Sequence, residues 1–258
     1  MIIIGSQGFI GSHFCQALPN AFQIDRSQLD LCRPQFNFSL RDYRYALITA
    51  GVGNPRKCEE DPQGSYRCNV EGSIEVGKEL LKRGIIPIFF SSDYVFDDAL
   101  NKSPLNEYGR QKAELEREAS KLDALVVRLS KVYGLKKGDG SLFDEMAEKL
   151  TAGQQIRAAR DQIFAPIYIG DVICQVLSLL EKEIRGIENV VGPSFASRLE
   201  MAQKVAETLA VKRTLVKEIS LDDLNDGVQR PKFLKIESSV PGLSWQEGIQ
   251  RMVEAYAQ

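Results

Sequence analysis

Histidine is almost missing from this 258-residue chain, which carries one, His13. A histidine-rich metal cluster is thereby excluded, and His13, in the first turns after a run of glycines, reads as structural. Cysteine is sparse: five residues, at 15, 32, 58, 68 and 174, an odd number with no CxxC pair. That pattern suits reduced thiols in a cytoplasmic protein, and neither a disulfide framework nor a zinc site is expected. Charge of one sign is lacking too. Lys and Arg total 33 against 35 Asp and Glu, for a net charge of −2, and the two signs are interspersed, so no footprint for nucleic acid exists. No apolar run reaches the ~20 residues that a membrane span needs. The opening "MIIIGSQGFIG" is strand-like from its second residue, without a basic leader, so a signal peptide is not expected. Low-complexity linkers, basic tails and internal repeats are absent from the sequence.

Hydrophobic residues make up 43% of the chain, enough for a sizeable core. Short β-branched runs alternate with helix-length segments. "IIIG" (Ile2–Gly5), "AFQID" (Ala21–Asp25), "ALITAG" (Ala46–Gly51), "IIPIFFSS" (Ile85–Ser92) and "ALVVRLS" (Ala124–Ser130) read as strands, apolar enough to be buried on both faces of a parallel sheet. Helices are expected over Phe9–Leu18, Ser65–Arg83 and Tyr108–Leu122, giving an α/β fold with right-handed crossovers. The second half alternates less regularly. A helix in "SLFDEMAEKLTAG" stops at Gly153, another begins near Gly170–Asp171, "SRLEMAQKVAETLA" opens with a capping box of Ser197 and Glu200, and Ser244 caps a C-terminal helix. This half reads as a smaller lobe woven into the first.

Gly5, Gly8 and Gly11 fall between the first strand and the first helix. Glycine there permits a tight turn, close backbone approach to a pyrophosphate, and packing of helix on sheet. Asp25 ends the second strand twenty residues past Gly5, where a carboxylate holds an adenosine ribose hydroxyl. Arg26 follows and suits a 2′-phosphate, which Asp25 would repel, so NAD and NADP both stay open. Ser91, Ser92 and Asp93 lie where a buried strand meets the carboxyl edge of the sheet, the edge at which ligands of open α/β folds bind. Sixteen residues beyond Ser92 comes Tyr108, and four residues later Lys112, one face of one helix.

The glycine spacing, a serine after a strand, and Y-x-x-x-K resemble the extended short-chain dehydrogenase/reductase family. "SSDYVFDD", "PLNEYGRQKAELE", "VVRLSKVYG" and "DQIFAPIYIGDV" are similar to dTDP-4-dehydrorhamnose reductases and their sugar-nucleotide relatives, from about Ile2 to Val172, thinning afterwards to "NVVGPS", "QRPKF" and "SWQEGI". The resemblance implies a Rossmann-type doubly wound parallel sheet over 1–134 and 161–191, with a substrate-binding lobe over 135–160 and 192–258. It implies that Gly5, Gln7, Gly8, Phe9, Ile10, Gly11, Asp25, Arg26, Ala50, Gly51, Asn69 and Ser91 bind NAD or NADP together with Tyr108 and Lys112. Ser92, Asp93, Tyr94, Val95 and Arg230 are implied at the substrate. Tyr108, Lys112 and Ser92 would then be catalytic. Free tyrosine, with a pKa near ~10, is a sluggish acid. A lysine ammonium and a positive nicotinamide ring would lower that value, while Ser92 would hydrogen-bond the substrate oxygen.

Relatives that dehydrate nucleotide sugars carry an Asp–Glu pair where this chain has Asp93–Tyr94, so the expected reaction is reduction of a 4-keto-6-deoxy nucleotide sugar, with epimerisation behind it. The regulatory subunit of methionine adenosyltransferase shares these motifs, which leaves a non-catalytic use open. Two departures flank the cofactor cleft. The segment from Ser27 to Arg44 is short, abbreviating the third strand and its helix, and "TAGVGNPRKCEEDP" differs from the usual pattern. No metal-ligand spacing occurs. The partner expected is a nucleotide-sugar substrate, with no nucleic acid and no membrane, for a cytoplasmic monomer or homodimer.

Overall fold

The three isoleucines of β1 (Ile2–Ile4) are almost wholly buried, because the strand lies inside a sheet covered on both faces. The structure, a computed structural model, describes residues 1–36, 40, 43–237 and 241–256. A helix, α1 (Phe9–Ala17), follows β1 and leads to β2 (Phe22–Ile24) and β3 (Tyr45–Ile48). Two short helices, α2 (Pro55–Glu60) and α3 (Pro62–Tyr66), run through a π-helical stretch, Arg67–Gly72, into α4 (Ser73–Lys82). Then come β4 (Ile86–Ser92), α5 (Glu107–Ala119) and β5 (Leu125–Leu129).

The remaining elements begin with β6 (Val132–Tyr133), α6 (Leu142–Thr151), β7 (Ile156–Ala159), β8 (Ile163–Phe164) and β9 (Ile167–Tyr168). They continue with α7 (Ile169–Glu181), β10 (Gly186–Val190), β11 (Ala196–Ser197), α8 (Arg198–Thr208), β12 (Val216–Ile219) and α9 (Trp245–Glu254). Among the described residues, six strands make one sheet in the order β10-β5-β4-β3-β1-β2, and every pairing in it is parallel.

Alternation along these strands feeds two cores. Ile2, Ile4, Ile24, Ile48 and Phe89 pack with Val76 and Leu80 of α4 and Leu115 of α5. Ile3, Leu47, Ile88 and Val127 face the opposite way, onto Phe14 of α1 and Val172, Val176 and Leu180 of α7. A one-residue slip of β1 would exchange the two sets. The second half builds a core of its own, with Phe143 and Met146 of α6, Met201 and Val205 of α8, and Ile249 and Met252 of α9. The capping boxes of Ser197 with Glu200 and of Ser244 with Glu247 both form, and Gly153 adopts φ +70° just beyond α6.

The structure departs from the sequence expectations at related places. The helix expected over Ser65–Arg83 is interrupted by the π stretch, which buries Cys68, Asn69 and Val70. No strand lies between β2 and β3 among the described residues; of the abbreviated segment, residues 37–39 and 41–42 lie outside them. The expectation of reduced thiols throughout is corrected: Cys32 and Cys68 are joined as a disulfide, with Cα atoms 4.6 Å apart. The cause is a close approach. Gly72 has no side chain, and a Cβ there would collide with the Leu31 carbonyl oxygen, so the segment after β2 lies directly against the π stretch. Cys15, Cys58 and Cys174 are free.

Candidate active site

The glycine turn is shaped by contacts that forbid side chains. Gly5 adopts φ +90°, and a Cβ on it would come 2.6 Å from the Ala50 nitrogen. A Cβ on Gly11 would strike the Gly5 carbonyl oxygen, so α1 can pack against β1 only with glycine there. Gly8 is the N-cap of α1 and offers no side-chain cap. Its position is otherwise open, with only the Gly5 carbonyl oxygen within contact of a built Cβ. An open helix N-terminus of this kind fits a pyrophosphate.

Asp25 sits beside the turn with its geometry fixed. One carboxylate oxygen accepts from the Ser27 hydroxyl at 2.6 Å and the Ser27 N–H at 2.8 Å; the other accepts from Gln7 Nε2 at 3.0 Å. The Ser27 hydroxyl is the main cause of its lowered pKa. Arg26 points into solvent and pairs with Asp30 at 3.5 Å. Phe9, at the start of α1, packs against His13 with the rings tilted by 54° and their centroids 4.7 Å apart, and the His13 Nδ1 lies 2.8 Å from the Phe9 carbonyl oxygen.

Asn69 is almost fully buried. Its Oδ1 accepts from the Val52 N–H at 2.7 Å, and its Nδ2 donates to the Val52 carbonyl at 3.1 Å and to Gln111 Oε1 at 2.8 Å. Gly51 leaves the room this requires, since a Cβ there would come 2.8 Å from Asn69 Oδ1. The loop after β3, with Ala50 and Gly51, is thereby tied to the helix that carries Tyr108 and Lys112.

That helix, α5, begins at an Asn106 cap whose side chain accepts from the Gly109 N–H at 2.8 Å. Gly109 is obligatory, because a Cβ would collide with the Tyr94 carbonyl oxygen. The Ser92 hydroxyl stands close enough to Tyr108 to lower its pKa, and the ammonium of Lys112 lies 5.7 Å from the Tyr108 ring centroid. Lys112 Nζ donates to the Phe90 carbonyl at 2.8 Å. Burial lowers the Lys112 pKa to about 8. Burial likewise raises Tyr108 well above its ordinary value, against a smaller opposing effect of the Ser92 hydroxyl. The lowering expected from Lys112 and a bound nicotinamide ring together is opposed by desolvation, the largest effect on Tyr108 among the chain's own groups.

Asp93 is buried, and its carboxyl is pushed up to about 7, mainly by desolvation; Ser92 Oγ donates to it at 3.1 Å. Tyr94, on the same 3₁₀ turn as Val95, meets Tyr108 edge-on at 6.1 Å. Burial pushes the Tyr94 hydroxyl up to about 12.

A family model, that of the RmlD substrate binding domain, matches residues 1–258. The chain belongs to the RmlD substrate-binding domain family. It is 29% identical over 221 residues to the dTDP-4-dehydrorhamnose reductase of Mycolicibacterium smegmatis, covering 77% of this chain and 66% of that enzyme's length. It is 28% identical over 248 residues to methionine adenosyltransferase 2 subunit beta of Rattus norvegicus, covering 89% of this chain and 73% of that protein. A solved dTDP-4-dehydrorhamnose reductase from Bacillus anthracis, in complex with NADP, superposes with a TM-score of 0.84 at 23% identity, covering 98% of each chain. The likeness to that structure is one of fold.

In this RmlD-family chain, several site residues carried no sequence signal of their own. Gln111 lies between Tyr108 and Lys112 in sequence but on another face of α5. Its Nε2 donates to Ser65 Oγ at 2.8 Å and to Glu107 Oε1 at 3.0 Å. Glu116 extends the four-residue spacing of Tyr108 and Lys112, which could have drawn notice to it. It is fully buried, accepting from Arg128 at 2.7 and 2.8 Å, from Ser91 Oγ at 2.7 Å and pairing with Lys102 at 2.7 Å. Arg230 gives both guanidinium nitrogens to Asp226, at 2.8 and 2.6 Å, and stands near Tyr94. Arg198, the first residue of α8, is partly buried and Lys131 is exposed, and neither forms an ion pair among the described residues. Burial is the main cause that lowers Arg198, with Arg230 lowering it further; partial desolvation and then the Arg198 charge lower Lys131, and Glu145 opposes both shifts.

Proposed function

We propose that the chain is an NAD(P)H-dependent reductase of a 4-keto-6-deoxy nucleotide sugar, with a substrate lobe over 135–160 and 192–258. The observation that carries this reading is the meeting of Tyr108, Lys112 and Ser92 at the carboxyl end of β4. The nicotinamide cofactor, when bound, supplies the hydride. The open N-terminus of α1 at Gly8 suits its pyrophosphate, and the Asp25 carboxylate suits a ribose hydroxyl. Tyr108 would pass its proton to the carbonyl oxygen as negative charge develops there, and Ser92, beside Tyr108, would hold that oxygen. Tyr108 is a proton holder at neutral pH because burial keeps its pKa high, and the positive charge of Lys112 favours release at the moment of transfer.

The diphosphate of the substrate is assigned to Arg198 and Lys131 more than to Arg230. Arg230 already has its charge matched by Asp226, whereas Arg198 and Lys131, each close enough to feel the charge of Glu145, form no ion pair within 4 Å among the described residues. An anion between them would relieve the repulsion that lowers Lys131. The absence of a glutamate after Asp93 supports reduction over 4,6-dehydration.

A non-catalytic reading is favoured by one observation: the similarity to the methionine adenosyltransferase subunit extends over 89% of the chain. Turnover decides between them. Oxidation of NADH or NADPH that depends on a 4-keto nucleotide sugar is expected, and its absence in a protein that binds dinucleotide would favour the regulatory reading. Gly8→Val should abolish dinucleotide binding in calorimetry, since the new side chain fills the space left for the pyrophosphate.

A further inference from the structure

The disulfide between Cys32 and Cys68 connects two segments that flank the glycine turn. On one side, residues 25–32 form a packed unit. The Asp25 carbonyl accepts from the N–H groups of Gln28 and Leu29 at 3.2 and 3.0 Å, Leu29 and Leu31 are buried, and the Cys32 N–H donates to Asp30 Oδ1 at 3.0 Å. On the other side, Cys68 immediately precedes Asn69, which grips the loop after β3 through Val52. Cys68 and Gly72, four residues apart, both receive the segment at Leu31 and Cys32. The π stretch that carries them is a distortion of a kind frequent at functional sites.

We propose that Cys32 and Cys68 are a reversible redox pair that sets the dinucleotide affinity of the site. The proposal rests on the reading of Asp25 as the adenosine-side residue. With the bond closed, residues 25–32 are held in place before a dinucleotide arrives. With it open, the segment must be ordered on binding, and affinity falls. The catalytic residues lie on β4 and α5, neither of which the bond joins, so turnover at saturating dinucleotide is unaffected by it.

The chemistry is thiol–disulfide exchange with a small-molecule disulfide of the glutathione class as oxidant. The Cys32 thiolate, on the partly exposed side, attacks one sulfur of the oxidant and releases the other as a thiolate. The Cys68 thiolate then attacks the mixed disulfide at Cys32, forming the intramolecular bond and releasing the second small thiol. Two electrons pass from the protein to the oxidant, and the two protein thiol protons end on the released thiols or in solvent. Access exists. A cavity of 380 Å3 lined by Cys32, Arg33, Arg67, Glu71 and Glu75 opens to solvent beside the bond.

The test uses the full chain, equilibrated with a dithiol reductant or with glutathione disulfide. Thiol titration in denaturant should count five thiols in the first state and three in the second, with an intact mass lower by two hydrogens. The dissociation constant of NADH or NADPH should be roughly three- to tenfold weaker in the reduced state, with kcat at saturation unchanged. Cys32→Ser should give four thiols in both conditions and the weaker constant in both. A bond that serves stability alone would raise the melting temperature without moving the dinucleotide constant, and that result overturns the proposal. Five thiols retained under oxidation would overturn it too. So would a stoichiometric zinc ion held by Asp30, Cys32 and Cys68, whose ligand atoms lie within 4.8 Å of one another. Failure of either state to bind dinucleotide would sink the functional reading as well, and the thiol counts tell that failure from the others.

Discussion

The Asn69 side-chain amide donates to Gln111 Oε1 at 2.8 Å, and this bond helps to hold the loop after β3, which Asn69 grips through Val52, against the helix of Tyr108 and Lys112. Gln111→Leu keeps the volume and removes every polar contact. Asn69, Ser65 and the Pro62 carbonyl would each lose a buried partner. The expected loss is about 1–3 kcal/mol of folding stability, read by chemical denaturation, together with weaker dinucleotide binding. A variant as stable as the parent would mean that the network is not a tether.

Tyr108→Phe deletes one hydroxyl and keeps the ring against Tyr94. If Tyr108 is the acid, kcat should fall by about two to four orders of magnitude while the dinucleotide dissociation constant changes little. Lys112→Met should impair both quantities, and Ser92→Ala should lower kcat by less than Tyr108→Phe, having lost a hydrogen bond and no proton donor. Steady-state kinetics on the three variants checks the order. Full reductase activity in Tyr108→Phe would remove the proposed mechanism and leave the fold untouched.

Burial raises the Glu116 carboxyl, but hydrogen bonds from Arg128, Lys102 and Ser91 outweigh it, and the pKa is lowered overall. A depressed carboxyl contributes stability above its unfolded value, near ~4.3, and that contribution is lost as pH falls through the lower folded value. Glu116→Gln should therefore flatten the acid limb of the stability curve. At neutral pH it should destabilise by about 3 kcal/mol, because Arg128 is left buried without its charge partner. Urea titrations between acid and neutral pH read both effects.

Asp93 has the opposite sign. Its carboxyl titrates at about 7 in the fold against ~3.9 unfolded, so the native state binds the extra proton and stability from this group falls as pH rises through that window. Ionised Asp93 also raises the Tyr108 pKa. A pH–rate profile of the parent should bend near neutrality, and Asp93→Asn should remove the bend. An identical bend in both proteins would assign it to another group.

Much of the fold was legible because a buried parallel sheet writes itself as apolar runs: Ile2–Ile4 and Ile86–Ser92 could hardly be anything else. The glycine turn and the spacing of Tyr108 and Lys112 were legible for a similar reason, since each is a local pattern with a steric or helical cause. What stayed hidden depends on contacts between distant segments. Gln111 and Glu116 look like ordinary residues of a charged helix, and only the packing of α5 on β4 and on residues 62–69 turns them inward. The Cys32–Cys68 bond required knowing that Gly72 lets the Leu31 backbone approach, which no spacing of cysteines reveals. How far burial raises the Tyr108 pKa was hidden as well, because a neighbouring lysine can be read from sequence, whereas the depth of burial cannot.

The shortened passage between β2 and β3 leaves β2 at the rim of the sheet. An open rim of backbone N–H and C=O groups is an invitation to self-association, and a long, flat one recruits strands from other molecules. Here the rim is three residues long, and Phe22 on it lies under the ring of Tyr43, with centroids 5.8 Å apart. At this edge, among the described residues, little free ladder is therefore left for a neighbouring chain to extend.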